Sequence, residues 1–342
     1  MKLARFGVAM SAFVVVAGVA AIAQVSATAG LKMADAAKKY LDGLTAEQRA
    51  KGAFSFDSPE REKWAFVPLQ DKDKKPTRKG LRLEEMTASQ REAAMALLQT
   101  GLSQSGYKQA TTIMSLEAIL RDLEKGGANV RNPDWYFVTI FGTPANSGKW
   151  GWRVEGHHLS LNFTVENGQV TSATPCFFGA NPATVLAGDR KGLRATPEVD
   201  DLAAELFTSL DDEQKKLAIQ SAQLPEVVAN SAANLGQPKG IPAAKLTDAQ
   251  RSTLKRLIEA YTNRLPAEIA QAELGRIESA GFAKIYFAYA GSPGQGNKHS
   301  YRLHGPTFAA EFVNVQDDSA KNPANHIHSA WRHLPKDFAL AN

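Results

Sequence analysis

A single cysteine, Cys176, is the only thiol in the 342-residue chain. One thiol cannot form an internal disulfide, so the fold must stand on its core alone, and 44% hydrophobic residues supply one. Cys176 lies in the apolar run Thr174-Pro175-Cys176-Phe177-Phe178, where an inert buried thiol is expected. Charge of one sign is also scarce. The formal net charge is +5 at pH 7, and two of those units are Lys2 and Arg5 near the start. So small an excess argues against a nucleic-acid partner, which calls for a localised basic stripe. The one basic run, Lys72 to Lys79, is broken by Asp73 and Pro76 and reads as a solvated loop.

Several catalytic signatures are missing as well. The chain has no His-Glu-x-x-His and no Gly-x-Ser-x-Gly elbow. Gly291-Ser292-Pro293-Gly294-Gln295-Gly296 is glycine-rich, but no Gly-Lys-Ser/Thr follows, so it reads as a hairpin loop instead of a phosphate cradle. Long apolar runs are absent except at the start. There Lys2 and Arg5 precede an uncharged stretch from Phe6 to Ala20, and small residues offer cleavage after Ala23 or Ala29. Residues 1–29 therefore read as a secretory signal peptide, with an uncleaved anchor as the rival. The expected location is periplasmic or secreted, with no membrane contact beyond export.

What the chain does have is repetition. Leu44-Thr45-Ala46-Glu47-Gln48, Met86-Thr87-Ala88-Ser89-Gln90, Leu210-Asp211-Asp212-Glu213-Gln214 and Leu246-Thr247-Asp248-Ala249-Gln250 each place Thr or Asp three residues before Gln. That is a capping box with a preceding staple residue, and it predicts four helix starts. Lys79-Gly80-Leu81 precedes Thr87 at the distance at which Lys239-Gly240-Ile241 precedes Thr247. Downstream, Trp135–Gly142 matches Ile285–Gly291, and Trp152-Arg153-x-x-Gly156 matches Tyr301-Arg302-x-x-Gly305. Asn162-Phe163 and Glu311-Phe312 then follow at equal distance. These matches predict an internal duplication: two related halves, 30–182 and 183–342, each with helices followed by antiparallel strands. Packed as one body, they give an α+β fold.

All seven histidines lie after residue 156. Five fall in Gly156-His157-His158 and in Asn325-His326-Ile327-His328-Ser329-Ala330-Trp331-Arg332-His333. Residues two apart on a strand share a face. That rule puts His158 with Ser160 and Asn162, and pairs His326 with His328. It leaves His157 on the apolar side, as a packed core residue. The repeat makes Glu311 the counterpart of Asn162. Two imidazoles and a carboxylate form a facial donor set with open positions, suited to one divalent transition metal: Zn(II), Fe(II) or Cu(II). The predicted metal ligands are His326, His328 and Glu311. His299 is a candidate further ligand, and His158 is a fourth ligand or a general acid/base. An ordinary polar network is the competing reading of the same histidines. Arg153 and Arg302, on matched strands, are structural clamps or grips for an anionic ligand.

At these motifs the chain resembles a known family. Trp152-Arg153-Val154-Glu155-Gly156-His157-His158-Leu159-Ser160, Phe178-Gly179-Ala180-Asn181-Pro182, Tyr301-Arg302 with Gly305-Pro306, and Asn325-His326-Ile327-His328 with Trp331-Arg332 and Asp337-Phe338 carry the likeness. The family is the bacterial and fungal domain-of-unknown-function family numbered 3500. The resemblance covers nearly the whole chain after the leader and implies no activity, cofactor or catalytic residue. Two functional readings stay open. One is an exported metal-dependent hydrolase or oxidase acting on a small molecule or peptide in a histidine-lined pocket. The other is a non-catalytic binding protein for an anionic small ligand.

Overall fold

The computed structural model describes residues 29–229 and 235–340. Apart from Ala29, the predicted leader lies outside the described residues. No described helix is long and apolar enough to cross a membrane.

Helix α1 (residues 29–42) leads to α2 (Ala46–Gly52) and strand β1 (Ala53–Phe54). Then come β2 (Leu81–Arg82), α3 (Ala88–Thr100), α4 (Gln104–Glu124), β3 (Phe137–Phe141), β4 (Lys149–Gly156) and β5 (Leu159–Glu166). Short strands β6 (Gln169–Ser172) and β7 (Cys176–Phe178) follow. The second run is α5 (Pro197–Thr208), α6 (Asp212–Ala218), β8 (Ile241–Pro242), α7 (Asp248–Thr262), α8 (Ala267–Ala280), β9 (Tyr286–Gly291), β10 (His299–His304), β11 (Phe308–Gln316) and β12 (His326–His333).

All four predicted capping boxes are present, at the N-termini of α2, α3, α6 and α7. The capping glutamines also reach across to one another. Gln48 and Gln90 exchange side-chain hydrogen bonds of 3.0 and 2.9 Å. Gln214 and Gln250 do the same at 2.9 and 2.8 Å. Each such pair therefore caps two helices and ties their starts together.

The strands form one twelve-stranded mixed sheet in the order β1-β3-β4-β5-β7-β12-β11-β10-β9-β8, with β2 on β3 and β6 on β5. Only β1–β3 among the ladders is parallel. At the centre β7 and β12 run antiparallel, with Cys176 opposite Trp331. That junction joins the strands of one half to those of the other.

Alternation along the strands divides the sheet into two faces. Trp152, Leu161, Phe163, Cys176, Phe178, Trp331, Phe312 and Tyr301 belong to the main core with the helices. Cys176 is buried there and burial pushes its thiol up to about 12, so it is inert as expected. The other face carries Arg153, Glu155, Asn162, Phe177, His328, Ala330 and Arg332. It is covered by irregular straps instead of helices, and Trp64, Phe66, Phe177, Val227, Ala330 and Phe338 form its own small core. This polar face, at the end where the β4–β5 turn meets the start of β12, holds the candidate site.

Candidate metal centre

The β4–β5 connection is a two-residue turn, His157-His158, closed by the Gly156–Leu159 pair. His158 has φ +60°, the left-handed value that the second turn position demands and that glycine normally supplies. Side chains held in this region cluster at functional sites. The backbone of His158 is clamped on both sides: its N–H donates to Phe66 O at 2.8 Å, and its carbonyl accepts from Gly179 N at 2.8 Å. Gly179 makes room for the ring, since a Cβ there would lie 2.7 Å from Ile327 O and 3.0 Å from His158 Cδ2.

From the other half, β12 presents His326 and His328. Their rings lie 4.7 Å apart, near perpendicular. His158 Nε2 is 2.8 Å from His326 Nε2 and 3.3 Å from His328 Nε2. Among the described residues, this trio is the one group of three or more His, Cys, Asp or Glu side chains placed to hold an ion. The protonation states suit ligation. Burial pushes His158 well below its ordinary value, and the neighbouring His157, His326 and His328 push it further. Burial, then His328, His157 and Arg131, take His326 down to about 3.

The atoms behind the rings fix their orientation. Glu226 Oε1 lies 3.0 Å from His328 Nδ1, which turns the Nε2 lone pair inward. Burial alone would raise Glu226. Its bonds to His328, to the Val227 amide and to Gln316 outweigh that and leave the carboxyl below its ordinary value. Asn181 lies 3.5 Å from His326 Nδ1, and its buried Oδ1 has no partner. Half a turn of the carboxamide lets that oxygen accept from Nδ1–H and frees His326 Nε2 as a donor to metal. His157 stacks on His158 with ring centroids 3.8 Å apart. Its Nδ1 bonds Glu117, and Arg131, itself paired with Glu124 at 2.7 Å, lies beside it. Phe66 meets His328 edge-on at 5.0 Å, closing the polar face against water.

The trio could hold a metal ion. Tetrahedral nitrogens bonded at ~2.0–2.1 Å stand about 3.3 Å apart; His158 and His328 are 3.3 Å apart, His158 and His326 are closer at 2.8 Å, and all three donor atoms lie within 4.8 Å of one another. Ring nitrogens aiming lone pairs at one point repel unless a proton or cation lies between them.

The predicted ligand set is thus rearranged. His326 and His328 meet as expected, and His158, predicted as a fourth ligand or a general acid/base, stands beside them. Glu311 and His299 lie elsewhere. Glu311 does share the face of His328, but it pairs with Ala330, whereas Val313 is opposite His328. The offset of two residues is ~7 Å. There Glu311 bonds Arg302 at 3.0 Å and has Arg332 at 4.0 Å. His299 is buried against Asp200, with Nε2 to Oδ1 2.8 Å. Arg153 is fully buried between Glu60 and Glu155. Arg153 and Arg302 stand on β4 and β10, five strand spacings or ~24 Å apart, so no single small ligand bridges them. His333, also in the β12 run, is buried and bonds Glu273 at 2.7 Å. Glu226 and Asn181 were not foreseen; both lie in irregular segments where no periodicity marks a role.

The chain belongs to the family described as "Protein of unknown function (DUF3500)". Its family model matches residues 26–340, so the histidine trio lies within the family's span. No curated protein and no solved structure matched the chain.

Proposed function

We propose that this is an exported metalloprotein in which His158, His326 and His328 bind one divalent transition metal, and that the centre is hydrolytic. The observation that carries the reading is the meeting of three imidazoles, with His158 Nε2 2.8 Å from His326 Nε2 and 3.3 Å from His328 Nε2 and all three donor atoms within 4.8 Å of one another. Three imidazoles with a free fourth position are a donor set of catalytic zinc, which supplies a water nucleophile at neutral pH by lowering its pKa to about 7. The chain's own residues do the rest. Glu226 and Asn181 orient two of the rings, Phe66 and Phe177 exclude bulk water, and the half-exposed His326 marks the side from which a small molecule or peptide reaches the ion. His158 has no separate acid/base role in this scheme.

The ligands come from both halves, so the centre exists only once the β7–β12 junction has formed. We read the halves as copies of one ancestral unit. The element order, the paired capping glutamines and the central β7–β12 pairing support this. In that correspondence the Gly305-Pro306-Thr307 turn stands where Gly156-His157-His158 stands in the first half, so only one of the two equivalent turns carries a histidine. Export rests on residues 1–29 of the sequence.

Crystals of tag-free protein measured across the Zn, Cu and Fe absorption edges test the site. One anomalous peak between the three Nε2 atoms is expected. A metal bound only elsewhere, or none after soaking with each ion, rules the reading out.

A further inference from the structure

On the helix side of the sheet, a cavity of about 260 Å³ opens between β11, the β9–β10 loop, the 322–325 loop, residues 183–186 and α5. Its volume is near the lower end of small-ligand pockets, ~300 Å³. The polar groups of Thr184, Gln295, Asn314, Asn322 and Asn325 are set in a wall that is mostly apolar. Asn314 is 2% exposed and spends Oδ1 on the His326 amide N–H at 3.1 Å, leaving Nδ2 with no bond inside the protein. Asn322 uses Nδ2 on Asp318 and leaves its Oδ1 free. Thr184 bonds Asn325 through its backbone and leaves its hydroxyl free. One carboxylate borders the space, Asp200, and both its oxygens are engaged, one by His299 and the other by Arg194. Leu186 and Pro323 add apolar surface.

A donor, an acceptor and a hydroxyl that can be either, beside an apolar patch and with no unpaired charge, match one ligand chemistry. Asn314 lines the cavity, and a ligand oxygen there can accept from its Nδ2. An anion finds no free cation here, and a cation finds a carboxylate already neutralised. The geometry points to a binding site for a neutral, hydroxyl-rich ligand of monosaccharide size, held by Asn314, Asn322 and Thr184. The site does not depend on the metal centre, although Asn314 touches both.

Calorimetric titration with glucose and with N-acetylglucosamine tests it, with inorganic phosphate and citrate as charged controls. Two variants accompany the wild type. Asn314→Asp keeps an oxygen for the His326 amide and replaces the free donor; Ala183→Leu fills the cavity. At least one sugar is expected to bind the wild type, and each variant to weaken it tenfold or more with the melting temperature little changed. Three outcomes overturn the proposal: neither sugar binding at ~10 mM, phosphate or citrate binding instead, or undiminished sugar binding in both variants.

Discussion

Removing the carboxylate behind His328 should weaken metal binding without touching a ligand. Glu226 Oε1 faces His328 Nδ1 at 3.0 Å and accepts from the Val227 amide at 2.8 Å, while Oε2 accepts from Gln316 at 3.2 Å. Partners of this kind typically contribute ~10–100-fold to metal affinity. Glu226→Gln keeps one oxygen that can hold Nδ1–H, but it loses the charge and turns an amide donor toward the Gln316 donor. A loss of about tenfold is expected. Glu226→Ala leaves the ring unheld, and the loss should approach ~100-fold. With 39% of its side chain exposed, Glu226 adds little to the fold, and the metal-free variants should melt with the metal-free wild type. Competition against a chromophoric zinc chelator gives the affinities. Wild-type affinity in both variants would refute the reasoning, provided His328→Ala has lost the metal.

Other consequences are independent of Glu226. Binding to the native state alone stabilises by about 2.7 kcal/mol at a hundredfold excess over Kd, so a strong chelator should lower the melting temperature by a few degrees; no change contradicts a bound ion. Burial opposes charge on His299, but its bond to Asp200, the Asp200 charge and the Asn297 carbonyl outweigh it and raise the imidazole above 6.5. Its contribution is therefore complete below the unfolded value and lost as pH rises through the folded one. Denaturation midpoints should fall as pH rises above about 6.5, and His299→Gln should flatten that fall; an unchanged slope counts against the pairing. If the chain is exported, the mature N-terminus should follow Ala23. Ala29 is 2% exposed, and Gly30 packs so closely that a Cβ would lie 2.2 Å from Gly168 O. Cleavage after Ala29 would place a charged ammonium in that contact, so intact-mass detection of Gly30 as the first residue would contradict the packing.

Local signals were the legible part of the sequence. The four Thr/Asp-x-x-Gln segments announced helix starts because capping is decided within one turn. Period-two alternation put Ser160 and Asn162 on one face, where their side chains bond each other. It also joined His326 to His328. The failures involved register and tertiary closure. Glu311 was placed on the right face, but its position along the ladder depends on how β11 and β12 pair, and that register sets it opposite Ala330, two residues from His328. His158 becomes a ligand because the central β7–β12 pairing brings a turn of one half beside a strand of the other. No spacing within either half encodes that meeting. Glu226 and Asn181 sit in irregular chain, where only the folded straps give them a partner.

The central claim is that three histidines, and not Glu311 or His299, hold the ion. Metal content of tag-free protein, measured by elemental analysis beside His158→Ala, His326→Ala, His328→Ala, Glu311→Gln and His299→Gln, tests it directly. Near-stoichiometric metal is expected in the wild type and the last two variants, with metal lost from each of the first three. Metal retained in His158→Ala, or lost in Glu311→Gln with the fold intact, would contradict the account.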